Sequence, residues 1–432
     1  MSDLKILLGS VTFPDDKSFI PLFFDNLLSV LKNKIDVEMI WLIYKSEKLD
    51  IPLPIFPDAK ILDIHNYKNA LEVLQQEKPD MVFASASWDL MDYAISSAAK
   101  FLGIPVVTQF MIESFFEQSA TQKITSYTKR FFENSTPSDV STSKKKFMKR
   151  GRFFIYKYFF LLKTHFSINH SMFQTLKIFF IILKKILSDY KSIYDSRFAN
   201  TIHWLQSESL VKPLIEAGFE KSSLIVTGNP MFDGAFQQVN DWQIVSNKKN
   251  KIRILLAPST LYEHGIWTRQ QRDQSIQEIC KIILKNQNEF CLKIKIHPSS
   301  ANFLEYQKII DKIDKNIEII QDGDILELLY ESDIVITFGY TFVSTYSVIS
   351  KKPLVICNFF EDLDDDFIKK QIAFECKKPF SLIDVIHQAI SKNDEYEKKC
   401  DDYIKNYFFK PDGKAGERIS NSILELIKKK TE

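Results

Sequence analysis

The sequence predicts an α/β protein built from two doubly wound, Rossmann-like parallel-sheet domains. Three observations carry that reading. Short, nearly continuous apolar runs alternate with helical patterns in both halves of the chain, as they do where strands are covered on both faces. The 432 residues exceed what one ordinary core supports. A Gly-Asn-Pro turn at residues 228–230 separates one alternating series from the next.

In the first series LKILLGSV is a strand, followed by an amphipathic stretch from Lys17 to Leu31. VEMIWLIY and AKILDI are further strands, NALEVLQQ a helix and PDMVFASA the next strand. A helix over LMDYAISSAAKFLG leads into the strand IPVVTQF. Residues 112–200 read as a mostly helical insertion with a Ser/Thr/Lys linker at 135–146, after which 200–233 return to strand, helix and strand. The second series runs KIRILLAPST, a helix at 270–286, LKIKIHP, a helix at 302–313, and IEIIQ. It continues with a short helix from Asp324, SDIVITFG, a helix from about Phe342, and PLVICNF. These readings give domains at 1–230 and 231–405, with residues 406–432 a helix placed to pack back on the first. Ligands of open parallel sheets sit outside the carboxyl ends of the strands, so a cleft faced by both domains is the expected site.

Bulk composition narrows the function classes. Hydrophobic residues at 45% and charged residues at 26% describe a globular protein, and a net charge of +2 gives no global field for nucleic acid. The five cysteines, Cys280, Cys291, Cys357, Cys376 and Cys400, form no CxxC pair and read as buried free thiols of a cytoplasmic protein. The N-terminus reads as a first strand and not as a signal peptide. Within residues 144–187, Lys157, Lys163, Lys177, Lys184 and Lys185 interrupt the apolar runs, so neither is long enough to span a bilayer. The basic cluster Lys144, Lys145, Lys146, Lys149, Arg150 and Arg152 beside Phe-rich helix suits the anionic inner face of a membrane. Helices packed on the domain with a solvated lysine face fit the same pattern.

Four loops follow strands of the second series. Pro258, Ser259 and Thr260 follow IRILLA, with Glu263 and His264 just beyond. His297, Pro298, Ser299 and Ser300 follow LKIKI, and Pro298 holds the histidine extended at the strand end. Gly339, Tyr340, Thr341, Phe342, Val343, Ser344 and Thr345 follow DIVITF, and small hydroxyl residues at a helix start offer free amides to a diphosphate. N-capping by Thr341 or Ser344 without a ligand fits equally. The fourth loop carries Asn358 and the acidic run Glu361, Asp362, Asp364, Asp365 and Asp366, a solvated helix start before it is a cation site. There is no GxGxxG, Walker loop or HxxxH pair, so no metal or cofactor is expected.

Taken together, VTGNPMFD, ILLAPST, KIHP, SDIVITFGYT and KKPLVI resemble the glycosyltransferase-B superfamily. The nearest groups are the UDP-N-acetylglucosamine 2-epimerases and the CDP-glycerol glycerophosphotransferases and capsule transferases. The resemblance implies two domains across a cleft and a nucleotide-diphosphate donor in the second. On it, Ser259, Thr260, His264, His297, Ser299, Tyr340, Thr341, Ser344 and Thr345 would hold the donor. His297, Glu263 and Glu113 would carry catalysis, with Glu117 and Asp89 as further acceptor-side carboxylates. The paired glutamates of the epimerases fall on Thr345 and Tyr346, and their acidic residues after IPVV on Thr108, Gln109, Phe110 and Met111. Proton abstraction at a sugar carbon then lacks an obvious base. The expected activity is transfer of a glycosyl or polyol-phosphate group from a UDP-, CMP- or CDP-linked donor to a surface-polysaccharide or lipid-linked acceptor. An epimerase-like isomerase or hydrolase is the first alternative, and a non-catalytic nucleotide-sugar-binding protein the second.

Overall fold

The computed structural model describes residues 3–12, 19–44, 59–84, 90–110, 152–153, 155–168, 171–187, 201–239, 242, 251–263, 266–298, 302–339, 341–361, 363, 365–391 and 394–431. These form two α/β units. One comprises the described residues up to Asp233 together with those from Asn406 onward, and the other spans Gly234–Lys405.

The first unit holds a seven-stranded parallel sheet of order β3-β2-β1-β4-β5-β6-β7. Its strands are β1 (Leu4–Thr12), β2 (Val37–Ile43), β3 (Lys60–Asp63), β4 (Met81–Phe83), β5 (Val106–Phe110), β6 (Ile202–Leu205) and β7 (Leu224–Val226). Its early helices are α1 (Phe19–Leu31), α2 (Ala70–Glu77), α3 (Leu90–Phe101), α4 (Met172–Leu187) and α5 (Val211–Glu216). The two-residue period of a strand sends alternate side chains to opposite faces, and here both faces are buried. Leu4, Ile6 and Leu8 pack with Phe23, Phe24 and Leu27 of α1, while Leu7 packs with Val73, Ala94 and Ile95 of α2 and α3. Of the helical insertion, residues 152–153, 155–168 and 171–187 are described, helical over 155–167 and α4, and Phe160, Leu161 and Ile168 join the second of these cores.

The other unit holds a six-stranded parallel sheet of order β10-β9-β8-β11-β12-β13. Its strands are β8 (Ile252–Ala257), β9 (Phe290–Lys295), β10 (Glu318–Ile320), β11 (Ile334–Thr337), β12 (Leu354–Cys357) and β13 (Phe374–Cys376). The helices from the domain junction onward are α6 (Asp233–Val239), α7 (Arg269–Lys285), α8 (Phe303–Ile310), α9 (Ile325–Glu331) and α10 (Phe342–Ile349). They continue with α11 (Asp366–Lys369), α12 (Leu382–Ile390), α13 (Asp394–Tyr407) and α14 (Ala415–Thr431). Strand β13 is an addition to the sequence reading: AFEC is too short and too mixed to signal a strand, and pairing with β12 makes it one. The strand order reverses direction between β8 and β11, the switch point at which open sheets of this kind bind ligands.

The chain returns to the first unit through a polar clasp built on VTGNPMFD. The Asp233 carboxylate accepts N–H bonds from Ala415 at 3.0 Å and Gly416 at 2.7 Å, capping the start of α14. Arg418 Nε donates to the Thr227 carbonyl at 2.6 Å, and the Asn229 amide donates to Gln206 Oε1 at 3.1 Å. Gly416 stands at a close approach, since a Cβ there would lie 3.3 Å from both Asn26 O and Asp233 Oδ2 and the clasp would have to give by a few tenths of an ångström. Ile419 and Ile423 of α14 then complete the core against β1 and α1, and Trp204 Nε1 donates to Ser422 Oγ at 3.0 Å. All five cysteines are free. Four are buried, but Cys291 is exposed, contrary to the sequence reading, because the alternation of β9 turns Phe290 and Ile294 into the core and Cys291 to the other face, opposite Arg253.

Candidate functional site

The loops after β8 and β11 meet at the switch point. Ser259 is buried, and its hydroxyl donates to the Gly339 carbonyl at 3.2 Å. Gly339 takes φ +99°, a left-handed conformation that a side chain would strain, and a Cβ there would lie 3.5 Å from Leu363. This turn delivers Thr341 to the N-cap of α10. Thr341 Oγ1 accepts the Ser344 N–H and Ser344 Oγ accepts the Thr341 N–H, each at 3.2 Å, closing a reciprocal capping box. Ser344 and Thr345 are fully buried, so the partly exposed part of this helix start is Thr341 with Phe342 and Val343. Tyr346, at the second of the two positions compared with epimerase glutamates, is also buried, and burial pushes its phenol up.

The loop after β8 continues into a charged cluster. Arg272, in the first turn of α7, is only 3% exposed and reaches Asp273 at 2.7 Å, Glu305 at 3.0 Å and Glu263 at 3.8 Å. Its guanidinium lies 4.2 Å from the Tyr262 ring centre and 5.1 Å from that of Tyr306. Burial alone would disfavour this charge, but Asp273, Tyr306 and Glu305 outweigh it and hold the guanidinium above its ordinary range. Tyr306 Oη donates to Glu263 Oε1 at 3.1 Å, so Glu263 is tied to α8 and to Arg272. These contacts hold Glu263, one of the carboxylates named for catalysis, against α7 and α8.

His297 lies just beyond β9 and is partly exposed. Its carbonyl and that of Pro298 accept Nε2–H bonds from Gln321 at 3.3 and 3.2 Å. Lys295, 8% exposed, donates to the Ile296 carbonyl at 3.0 Å and the Gln321 carbonyl at 2.7 Å. Burial lowers the Lys295 ammonium, opposed by Asp322. Thr260 is partly exposed beside Ser259. His264, Ser299, Tyr340, Glu113, Glu117 and Asp89 lie outside the described residues, as do Lys144, Lys145, Lys146, Lys149 and Arg150, whereas Arg152 is described and exposed.

Glu361, Asp365 and Asp366 of the acidic run have structural employment, whereas Asp362 and Asp364 lie outside the described residues. Asp365 Oδ1 caps α11 by accepting the Phe367 and Ile368 amides, Asp366 pairs with Lys370 at 2.6 Å, and Glu361 pairs with Lys378 at 2.9 Å. Among the described residues no group of three or more His, Cys, Asp or Glu side chains could hold a metal ion. Arg272, Lys295 and Gln321 were missed by sequence reasoning. For Lys295 a signal existed, since a lysine inside a strand covered on both faces has to be accommodated indoors.

No family model matches the sequence, and no curated protein matches it. Solved structures do match the fold. A Methanocaldococcus jannaschii UDP-GlcNAc 2-epimerase, solved with UDP-GlcNAc and UDP, is 16% identical, with a TM-score of 0.52 over 98% of this chain and 99% of that one. The wall teichoic acid polymerase TagF, soaked with CDPG, is 13% identical, with a TM-score of 0.54 over 99% and 90%. The glycotransferase of kitacinnamycin is 11% identical, with a TM-score of 0.53 over 98% and 99%. The two parallel-sheet units are those of the glycosyltransferase-B fold, as the motif resemblance implied. At these identities the likeness is one of fold, shared by transferases and epimerases alike.

Proposed function

We propose that the protein transfers a glycosyl or polyol-phosphate group from a nucleotide-activated donor to a glycan or lipid-linked acceptor. The Ser259–Gly339 bridge carries the proposal, because it joins the two loops flanking the switch point and sets Thr341 at a helix start beside them. In this reading the first-turn amides of α10 and the Thr341 hydroxyl bind the donor phosphates, aided by the helix dipole. His297 donates to the departing nucleotide phosphate as the bond to the transferred group breaks, stabilising the charge that develops there. Ser259 and Ser344 hold the loops, and Glu263 positions the β8 loop through Arg272 and Tyr306. The fold is equally at home in epimerases, but a helix start bearing Thr345 and Tyr346 offers no carboxylate to remove a proton. The scheme calls on no metal, and EDTA is expected to leave turnover unchanged.

A thermal-shift screen of CMP, CDP, UDP, UDP-sugars and CDP-glycerol tests the donor class. One nucleotide family is expected to raise the melting temperature, and His297→Ala to reduce both that shift and turnover. A His297→Ala protein with full binding and turnover would overturn the site. Conversion of UDP-N-acetylglucosamine to its manno epimer would favour the isomerase reading, and no shift with any nucleotide the non-catalytic one.

A further inference from the structure

The helical insertion of the first unit has two apolar faces, of which only one is used by the core. Phe160, Leu161 and Ile168 are buried with α2 and α3. On the opposite side Ile155, Phe159 and Phe166 are 53–55% exposed and share one stripe, at spacings of four and seven residues. In α4, Phe173, Leu176 and Phe180 follow at spacings of three and four, exposed by 78%, 36% and 62%. The two stripes are connected, because Tyr158 packs on Phe179 with ring centres 4.6 Å apart, and each of these rings adjoins an exposed neighbour, Phe159 and Phe180. A scattered exposed leucine needs no explanation, but a patch of large exposed residues over two adjacent helices does.

Charge identifies what covers it. Between Val140 and Leu187 the sequence has eleven lysines and arginines and no aspartate or glutamate. The whole chain is +2, so the remainder, +2 less 11, carries −9. Lys163 and Lys177 are exposed within the two stripes themselves, each three or four residues from an exposed phenylalanine. A surface shared by exposed aromatic rings and by lysines from a stretch without acidic residues matches one environment, in which rings enter an apolar layer while cations meet anions at its boundary. No helix among the described residues is long and apolar enough to cross a membrane, so the fit is to a surface and not to a span. We infer that the exposed stripes of residues 155–167 and of α4 dock the protein on an anionic phospholipid bilayer, with Phe159, Phe173 and Phe180 inserted at the headgroup boundary. The inference is independent of which donor the second unit takes.

Vesicle flotation with the full chain tests it. The protein is expected to float with vesicles of phosphatidylcholine containing one-third phosphatidylglycerol, and to stay below with phosphatidylcholine alone. Phe159→Ser/Phe173→Ser/Phe180→Ser should weaken the partition at least about tenfold. Lys163→Gln/Lys177→Gln should weaken it roughly thirtyfold, more at low salt than at high. The lysine pair is solvent-exposed, so it decides the matter even if the serine variant fails to fold. Equal flotation with neutral vesicles, no flotation at all, or undiminished flotation of the lysine variant would overturn the proposal. So would a wild-type dimer in light scattering that the serine variant converts to monomer, which would assign the patch to a second copy.

Discussion

The loops after β8 and β9 leave neighbouring strands of one sheet, yet they are secured by opposite means. The β8 loop is fastened by side-chain charge, with Arg272 enclosed by Asp273, Glu305, Glu263 and two aromatic rings. The β9 loop is fastened by backbone, with Lys295 and Gln321 gripping carbonyl oxygens and no carboxylate in hydrogen-bond contact with Lys295. A buried ion enclosed by counter-ions stays charged and is hard to dislodge, whereas one hydrogen-bonded to carbonyl dipoles, with only the charge of Asp322 opposing its burial, is held against its own desolvation. The first arrangement makes a rigid wall, and the second keeps a cation near His297 that titrates more readily.

Substitutions can break this contrast. The largest effect is expected from Arg272→Met, which leaves Glu263 and Glu305 without their cation and should lower stability by about 3–5 kcal/mol in urea unfolding. Arg272→Lys should recover only part of this loss, because an ammonium cannot reach several carboxylates and stack between two rings together. Lys295→Met comes next, at about 1–3 kcal/mol near neutral pH, from the two carbonyls left without a donor. Its signature is the pH response. The folded state holds the Lys295 proton less tightly than the unfolded chain does, so this group's contribution rises as pH climbs toward its ordinary 10.5. Unfolding titrations from neutral to alkaline pH should show that rise in the wild type and lose it in the variant. Gln321→Ala should cost about 1 kcal/mol and loosen His297 and Pro298, raising the KM for donor more than it lowers stability. Ser259→Ala is the mildest, at roughly 0.5–1.5 kcal/mol, and equal donor affinity in this variant would show that the Gly339 bridge is not needed to shape the site.

Much of this architecture was legible in residue order. Apolar runs of strand length, such as IRILLA and DIVITF, could only be strands covered on both faces, and the Thr341 N-cap was marked by a hydroxyl ahead of an apolar helix. The site was legible as a set of loops but not as a set of contacts. Lys293 and Lys295 look alike in KIKI, yet the first pairs with Glu318 and Glu331 in the open while the second is buried. Which is which depends on partners contributed from elsewhere in the chain, Glu318 and Glu331 for the first and the Gln321 carbonyl for the second. Arg272 carries no signal of its role in the sequence, because Glu305 lies 33 residues away. In the sequence Ser344 fits either a phosphate ligand or a cap, and the structure adds its burial and its reciprocal bond to Thr341.

The Asp233 clasp on α14 has a consequence for how the protein is made. Ile419, which with Ile423 helps cover Leu4, Ile6 and Leu8, follows Leu4 by 415 residues (419 less 4). At about 5–20 residues per second, roughly 20–80 s separate the synthesis of β1 from that of the helix that seals it. During that interval the second unit, whose residues are nearly contiguous, is free to fold as an insert. The nascent first sheet meanwhile waits with one apolar face incompletely covered, and that is where a chaperone would find it.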